Sequence, residues 1–320
     1  MHKIKKSPFF RSNITTTSIM RDVIIALLPV CIMAIINFGI KALAFMLVGI
    51  FTAVLFEYIV QKATKQKVTI NDLSAAVTGL LLGLSFPVSA PLWIVVLATF
   101  IAIVLVKQLT GGIGKNIFNP AVFARVFIKV TLTPFFTDWV SPLPDLTSVA
   151  TPLEYIGDGQ KVIGKGAPSL SDLFFGNIGG GLGETVKWAI IIGFIYLVIR
   201  KIIDWKMPIA TLAGLFLTAL LFSKSDYNYA LYHVLSGTVM FATVFMVTDY
   251  TSGPLNPRAR FYYALIIGII TGVLRYTLDL PGGIGVAILI MNLFAPMLDK
   301  FTTPRVFGFK RGQNIMASRK

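Results

Sequence analysis

Three groups of residues in this chain have side chains capable of chemistry. The first is Asp145-Leu146-Thr147-Ser148-Val149-Ala150-Thr151, an acid followed by three hydroxyls. A threonine hydroxyl can form a phosphoester, and a nearby carboxylate can help hold a divalent cation beside a phosphate. By residue type alone the stretch is equally an ordinary polar loop, since Ser, Thr and Asp commonly form turns. The second group is Gly114-Lys115-Asn116-Ile117-Phe118-Asn119-Pro120-Ala121. Asn116 and Asn119 can each donate and accept hydrogen bonds. Pro120 suits a first helical turn, where the N–H it lacks would be orphaned anyway. Asn119 then reads either as a ligand contact or as the helix cap. The third group is Arg125, Lys129, Thr248 and Asp249, in or beside apolar stretches. An acid at membrane depth is a functional hypothesis by default, whereas an interfacial Asp249 can simply pair with Arg258 or Arg260. Arg125 and Lys129 either snorkel or meet a phosphate. There is no catalytic triad and no metal-ligand cluster. The single cysteine, Cys31, excludes an intrachain disulfide.

The elements that must position these residues are apolar. The 320 residues are 55% hydrophobic and 13% charged, with a mean hydropathy of +0.78. Soluble domains carry about 25% charged residues. Runs of about 20 apolar residues recur, long enough to cross a bilayer as helices. Ten spans are expected, near 22–40, 41–61, 72–87, 91–110, 119–135, 185–203, 207–223, 229–248, 261–278 and 283–299. No cleavable signal is expected, because residues 1–20 are polar and the first apolar run is full length.

The net charge of +15 is not read as a nucleic-acid signature, because the basic residues cluster between the spans. Lys3, Lys5, Lys6 and Arg11 precede the first. Lys62, Lys65, Lys67, Lys115, Arg200, Lys201, Lys206, Arg258 and Arg260 lie in alternate loops. Lys300, Arg305, Lys310, Arg311, Arg319 and Lys320 follow the last. The positive-inside rule puts these loops and both termini in the cytoplasm. The long segment 136–184 then faces outward, and its six carboxylates outnumber Lys161 and Lys165. A structureless loop of this length is usually functional or disordered.

The sequence also repeats. Gly111-Gly112-Ile113-Gly114 returns as Gly282-Gly283-Ile284-Gly285, each time before the last span of a five-span half, and Thr78-Gly79 has a counterpart in Ser236-Gly237. Halves of five spans are inserted upside down relative to each other, and such repeats place ligand sites between the halves at broken helices. Pro87, Pro91, Pro120, Pro254 and Pro257 mark breaks or interfacial turns. The expected domains are a first five-helix repeat (1–135), the outward loop (136–184), a second repeat (185–300) and a basic cytoplasmic tail (301–320).

Several stretches resemble one family. Ser7-Pro8 with Arg11-Ser12-Asn13 and residues 15–20 is similar to the opening of RnfD proteins. So are Gly114-Lys115-Asn116-Ile117-Phe118-Asn119-Pro120-Ala121, Gly179-Gly180-Gly181-Leu182-Gly183-Glu184-Thr185, and Thr248-Asp249-Tyr250 before Pro254. Residues 145–151 resemble the flavinylation motif shared by RnfD and NqrB proteins: Asp, two variable residues, Ser or Thr, Gly, Ala and the modified Thr. Val149 stands where the motif usually has Gly. NqrB proteins usually have a longer N-terminal extension, so RnfD is the nearer resemblance.

That resemblance implies an all-α integral membrane protein with two inverted five-helix repeats, in a bacterial or archaeal cytoplasmic membrane. It implies covalent FMN on Thr151 through a phosphoester, with Asp145 and Ser148 in the recognition motif. It implies a second, non-covalent flavin, riboflavin, placed near Asn116, Asn119 and Asp249. It further implies electron transfer between ferredoxin and NAD coupled to Na⁺ or H⁺ movement. The implied partners are other Rnf subunits, among them the FMN-carrying RnfG and the membrane subunits RnfA and RnfE. The competing reading is an inverted-repeat channel or secondary transporter without redox activity. A structural scaffold is a third.

Overall fold

The computed structural model describes residues 15–136, 138–156, 163–164, 166–223, 226–278 and 280–303. The motif residues Ser7 to Asn13, the two loop lysines Lys161 and Lys165, and the basic tail from 304 lie outside the described residues.

Helix α1 (Thr16–Phe38) starts at Thr15, whose side chain accepts from the Ser18 N–H, and stops at Gly39 with φ 72°. Helix α2 (Ile40–Ala63) follows directly. Next come α3 (Ser74–Ser85) and α4 (Trp93–Phe100), which widens into a π-helix over Ile101–Gln108. Helix α5 (Pro120–Thr131) is capped by Asn119. The long segment holds a two-residue hairpin, β1 (Trp139–Val140) against β2 (Ser148–Val149), and the short α6 (Leu170–Phe175). The second half contains α7 (Lys187–Ile199), α8 (Lys206–Phe222), α9 (Tyr227–Leu235), α10 (Val239–Phe245), α11 (Pro257–Thr277) and α12 (Gly283–Thr302).

Helices α1, α2, α11 and α12 are long and apolar enough to cross a membrane, and α3, α4 with its π continuation, α7 and α8 are shorter apolar helices. The burial pattern is that of a bilayer protein. Ile32, Ile36, Ile40, Leu47 and Phe51 are exposed on α1 and α2, while Glu57, Lys107, Lys187 and Arg275 are among the most buried side chains. Water would favour the reverse; lipid favours apolar surfaces and inward-facing charges. The fold is that of an all-α membrane protein.

Without a hydrophobic drive between helices in lipid, close backbone packing must hold them together. Glycine crossings do so. A Cβ on Gly79 of α3 would overlap the Gly49 carbonyl of α2, and one on Gly268 of α11 would overlap the Thr211 carbonyl of α8.

The expected breaks have identifiable causes and satisfied ends. The expected third span stops at Ser85, and Pro87 and Pro91 lie in the turn before α4. The freed carbonyls of Leu84 and Phe86 accept from the N–H groups of Gly183 (2.7 Å) and Leu182 (3.1 Å). The loop that leads into α7 thus pairs with the end of α3, as backbone buried away from water requires. The expected eighth span is two helices, α9 and α10, parted at Ser236-Gly237-Thr238. Here the buried Arg275 guanidinium donates to the carbonyls of His233 (2.7 Å) and Ser236 (3.1 Å). Pro257 instead opens α11 behind an Asn256 cap.

The glycine repeat in sequence is not a repeat in conformation. Gly111, Gly112 and Gly114 have φ of 105°, 90° and 83° in a loop, whereas Gly282 has φ −87° and α12 begins at Gly283. Likewise Thr78-Gly79 lies inside an unbroken α3, while Ser236-Gly237 forms the break.

Candidate functional site

Two clefts contain most of the residues singled out above. The first spans about 770 Å³, counting the solvent space at its open mouth, and has Thr151 on its wall. Thr151 opens a 3₁₀ turn, Pro152–Tyr155, in a Thr-x-x-Glu arrangement in which the Glu154 carboxylate accepts from the Thr151 N–H at 3.0 Å. The turn is anchored from below, since Tyr232 of α9 donates its hydroxyl to the Pro152 carbonyl at 3.1 Å.

The same cleft is lined by three cations, Arg125, Lys129 and Lys187, against two carboxylates, Glu154 and Glu184. Arg125 of α5 donates to Glu184 Oε2 at 3.1 Å and to Thr238 Oγ1 at 2.6 Å. The Thr238 hydroxyl donates to the same Glu184 oxygen, and Glu184 Oε1 accepts from the Gly181 N–H at 2.9 Å. Lys187 donates to the Glu184 carbonyl and, at 3.3 Å, to that of Gly237. Lys129 lines the cleft against Gly282, and its ammonium makes no hydrogen bond or ion pair among the described residues. Phe136 and Trp139, both buried, add aromatic wall. The cleft thus offers an unclaimed cation for a phosphate, apolar faces for a planar ring and a hydroxyl at its edge. These groups fit a flavin phosphate ester.

The other residues of the 145–151 motif lie elsewhere. Asp145 and Ser148 are exposed on the hairpin and are not part of the cleft wall. The Ser148 hydroxyl donates to Asp138 Oδ1 at 2.7 Å, and Thr147 pairs with Ser141. Val149 takes a strand position, which suits a β-branched side chain.

The second cleft spans about 750 Å³, counting the solvent space at its open mouth, and brings together Asn116, Asn119, Thr248 and Asp249. Asn116 is buried, and its Oδ1 accepts from Thr110 Oγ1 at 3.1 Å. Asn119 is the cap of α5: its Oδ1 accepts from the N–H groups of Ala121 (3.0 Å) and Val122 (3.2 Å). Asp249 accepts from Thr251 and Ser252 in its own turn, and makes no ion pair with Arg258 or Arg260. Lys107 and Ser74 complete a polar corner, against walls of Leu81, Leu197 and Phe245. Helix α5 joins the clefts, with Asn119 at its start in one and Arg125 and Lys129 in the other. At 1.5 Å per residue, Asn119 and Lys129 are about 15 Å apart along the axis.

A sequence model of the NQR2, RnfD, RnfE family matches residues 3–308. The chain belongs to this family. Among its relatives, the D component of the Na⁺-translocating ferredoxin:NAD⁺ oxidoreductase complex of Acetobacterium woodii is 38% identical over 308 residues, covering 95% of each chain. The D component of the proton-translocating ferredoxin:NAD⁺ oxidoreductase complex of Clostridium ljungdahlii is 33% identical over 321 residues and 96% of each chain. The D component of an ion-translocating oxidoreductase complex of Yersinia pseudotuberculosis is 32% identical, over 97% of this chain and 99% of its own. Membership and the apolar helices together make this NQR2, RnfD, RnfE family chain a multi-pass membrane protein.

Sequence reasoning assigned no role to the groups that hold the clefts in shape. Glu184, Lys187, Thr238 and Arg275 bracket the first, and Glu57, Lys107 and Ser74 frame a corner of the second. The usable signal was charge inside apolar runs, which is costly in lipid unless paired. Glu57, Lys107, Lys187 and Arg275 all carry that signal.

Proposed function

We propose that this chain is a flavin-carrying electron-transfer subunit of a membrane complex that couples ferredoxin:NAD oxidoreduction to movement of Na⁺ or H⁺. The observation that carries the reading is Thr151 on the wall of a cleft whose Lys129 ammonium has no partner among the described residues. In it, FMN is esterified through its phosphate to Thr151 Oγ1, and riboflavin occupies the cleft of Asn116 and Asn119. The flavins supply the redox chemistry, and the protein supplies position and electrostatics. Arg125, fixed by Glu184 and Thr238, and Lys129 provide positive charge for the ester phosphate, while Trp139 and Phe136 exclude water from the ring. In the second cleft Lys107 is already neutralised by Glu57 and no other cation lines the wall among the described residues, which suits a ligand without phosphate.

The architecture we assign is ten spans in two inverted halves with both termini cytoplasmic and 136–184 outside. Grouping α9 with α10 gives five helical units on each side of that segment, which supports the count. The partners are the other members of an Rnf-type complex, by analogy with the relatives' names. An absorbance spectrum of the purified chain, before and after denaturation, tests the reading. Flavin bands are expected in both, the denatured protein keeping only the covalent share. A colourless chain from cells that make the whole complex would instead favour a channel or transporter.

A further inference from the structure

A second buried charge cluster lies at the corner of the Asn116 cleft, where α2, α3 and the π-helix meet. Glu57 and Lys107 are 1% and 2% exposed and 2.6 Å apart. Glu57 Oε1 also accepts from Gln108 (2.8 Å) and Gln61 (3.3 Å), while Oε2 has no partner among the described residues. Lys107 and Gln108 are consecutive, yet both reach the same carboxylate oxygen. In an α-helix, neighbours point about 100° apart, at 3.6 residues per turn. The π-helix over Ile101–Gln108 changes that spacing, and π segments are frequent at functional sites.

Lys107 does not end at Glu57. Its Nζ donates to Ser74 Oγ at 2.6 Å, and Ser74 Oγ donates to Asp72 Oδ1 at 2.5 Å. Lys107 and Ser74 line the cleft, and Asp72 is half-buried at the surface turn before α3. A continuous hydrogen-bonded path therefore runs from the surface to a cation facing the ligand space. The other titratable groups facing the cleft are Asp249 and Tyr250. Asp249 is occupied by Thr251 and Ser252 in its own turn.

We infer that Lys107 is the proton donor to the ligand of the Asn116 cleft, refilled through Ser74 from Asp72, with Glu57 as its fixed counter-ion. The inference rests on the flavin reading of that cleft. Two-electron reduction of an isoalloxazine takes up one proton. Lys107 Nζ gives that proton and becomes a neutral amine. Ser74 passes its hydroxyl proton to the amine and takes one that water delivers by way of the Asp72 carboxylate, to which Ser74 is bonded. One proton leaves solvent for every two electrons, and a preceding redox carrier or a chemical reductant supplies the electrons. Glu57 keeps its charge throughout, so the cluster passes from neutral to singly negative until Lys107 is refilled.

The test uses the full chain carrying Thr151→Ala, so that no covalent flavin contributes, loaded with riboflavin in detergent. A pulse of reduced methyl viologen, which gives up electrons without releasing protons, is followed by flavin bleaching and by a pH-indicating dye in weak buffer. Bleaching and proton uptake should coincide in this parent. With Asp72→Asn added, bleaching should keep its rate while proton uptake lags at least ten-fold. Lys107→Met alone leaves Glu57 buried without its partner, so the paired variant Lys107→Met with Glu57→Gln is also made. Flavin-free, the paired variant should melt closer to the parent than the single one. Loaded, it should retain riboflavin and take up protons at least ten-fold more slowly. Riboflavin retained, with proton uptake keeping pace with bleaching in both the Asp72 and the paired variants, would overturn the relay. Failure of the parent to hold riboflavin would instead remove the flavin reading of the cleft, and the relay with it.

Discussion

Asn119 donates from its side-chain amide to the carbonyl oxygen of Met246 at 3.3 Å, tying the start of α5 to the end of α10. Its other atom caps α5, so cap and cleft wall are one residue. Asn119→Leu should therefore lose riboflavin and also destabilise the chain by about 1 kcal/mol, the usual worth of an N-cap. Asn116→Leu, which caps nothing, should lose riboflavin with a smaller change in melting temperature. Extractable flavin and thermal unfolding, measured on both variants, check this. Full riboflavin content in a folded Asn116→Leu chain would reject the placement.

Arg275 holds the gap between α9 and α10 open by donating to two carbonyls that no helix satisfies. Arg275→Leu leaves both buried and unpaired, which should cost roughly 3 kcal/mol at 1–3 kcal/mol per group. Arg275→Lys has no planar fork to reach both and should fall between. Thermal unfolding in detergent ranks the three proteins, and equal melting points would show that the break is held by other contacts.

Apolar run length made most of the helices legible in the sequence, because lipid demands long uninterrupted runs. The prolines at 87 and 91 marked a true turn for the same reason: proline cannot donate to a helix. The break at Ser236-Gly237-Thr238 was hidden inside an apolar run, since what opens it is Arg275, thirty-nine residues from Ser236 in sequence. The candidate site was legible only where one residue carries the chemistry. Thr151 and the two asparagines stand on cleft walls, but the Arg125–Glu184–Thr238 cluster is assembled from three separate segments, and no local spacing could reveal it. The four-residue glycine match misled about local shape, because identical residues accept either sign of φ.

The topology has a direct check. Ser148 and Lys201 are both exposed, one on the hairpin and one between α7 and α8. Native Cys31 is buried, and is replaced by Ala to leave a cysteine-free chain. In that background, Ser148→Cys and Lys201→Cys should react with an impermeant maleimide from opposite faces, Ser148→Cys from outside the cell. Labelling of both from one face would remove the ten-span arrangement and put the proposed flavin anchor on the wrong side.

Val149 fills space that would otherwise admit a side chain at position 179. A Cβ on Gly179 would overlap Val149 Cγ2. Gly179→Ala should therefore push the hairpin off the cleft and reduce covalent flavin several-fold. Adding Val149→Gly should restore it, because the removed isopropyl group makes room for the new methyl. The double-mutant cycle isolates this one contact. Additive losses would mean that Gly179 matters for its backbone and not for the space beside Val149.

Thr151 is the sharpest case, since a phosphoester needs an oxygen at that position and not merely a polar group. Thr147 and Ser148 supply nearby hydroxyls, but both are engaged on the exposed hairpin, with Ser141 and Asp138. Only Thr151 of the three lies on the wall of the cleft that Arg125 and Lys129 also line. Thr151→Ala should abolish covalent flavin fluorescence on a denaturing gel while the chain still inserts. Thr151→Ser keeps the oxygen and should retain part of the label. Because the Thr151 backbone also holds the turn, its N–H bonded to the Glu154 carboxylate and its carbonyl to the Glu154 N–H at 2.9 Å, neither change should unfold it, so loss of label reads chemistry and not folding. Peptide mass spectrometry should place FMN less one water on the fragment containing Thr151. The same mass on a fragment modified at Thr147 or Ser148, or label surviving in Thr151→Ala, would mean that Val149 had shifted the motif and that the hairpin, not the cleft, carries the cofactor.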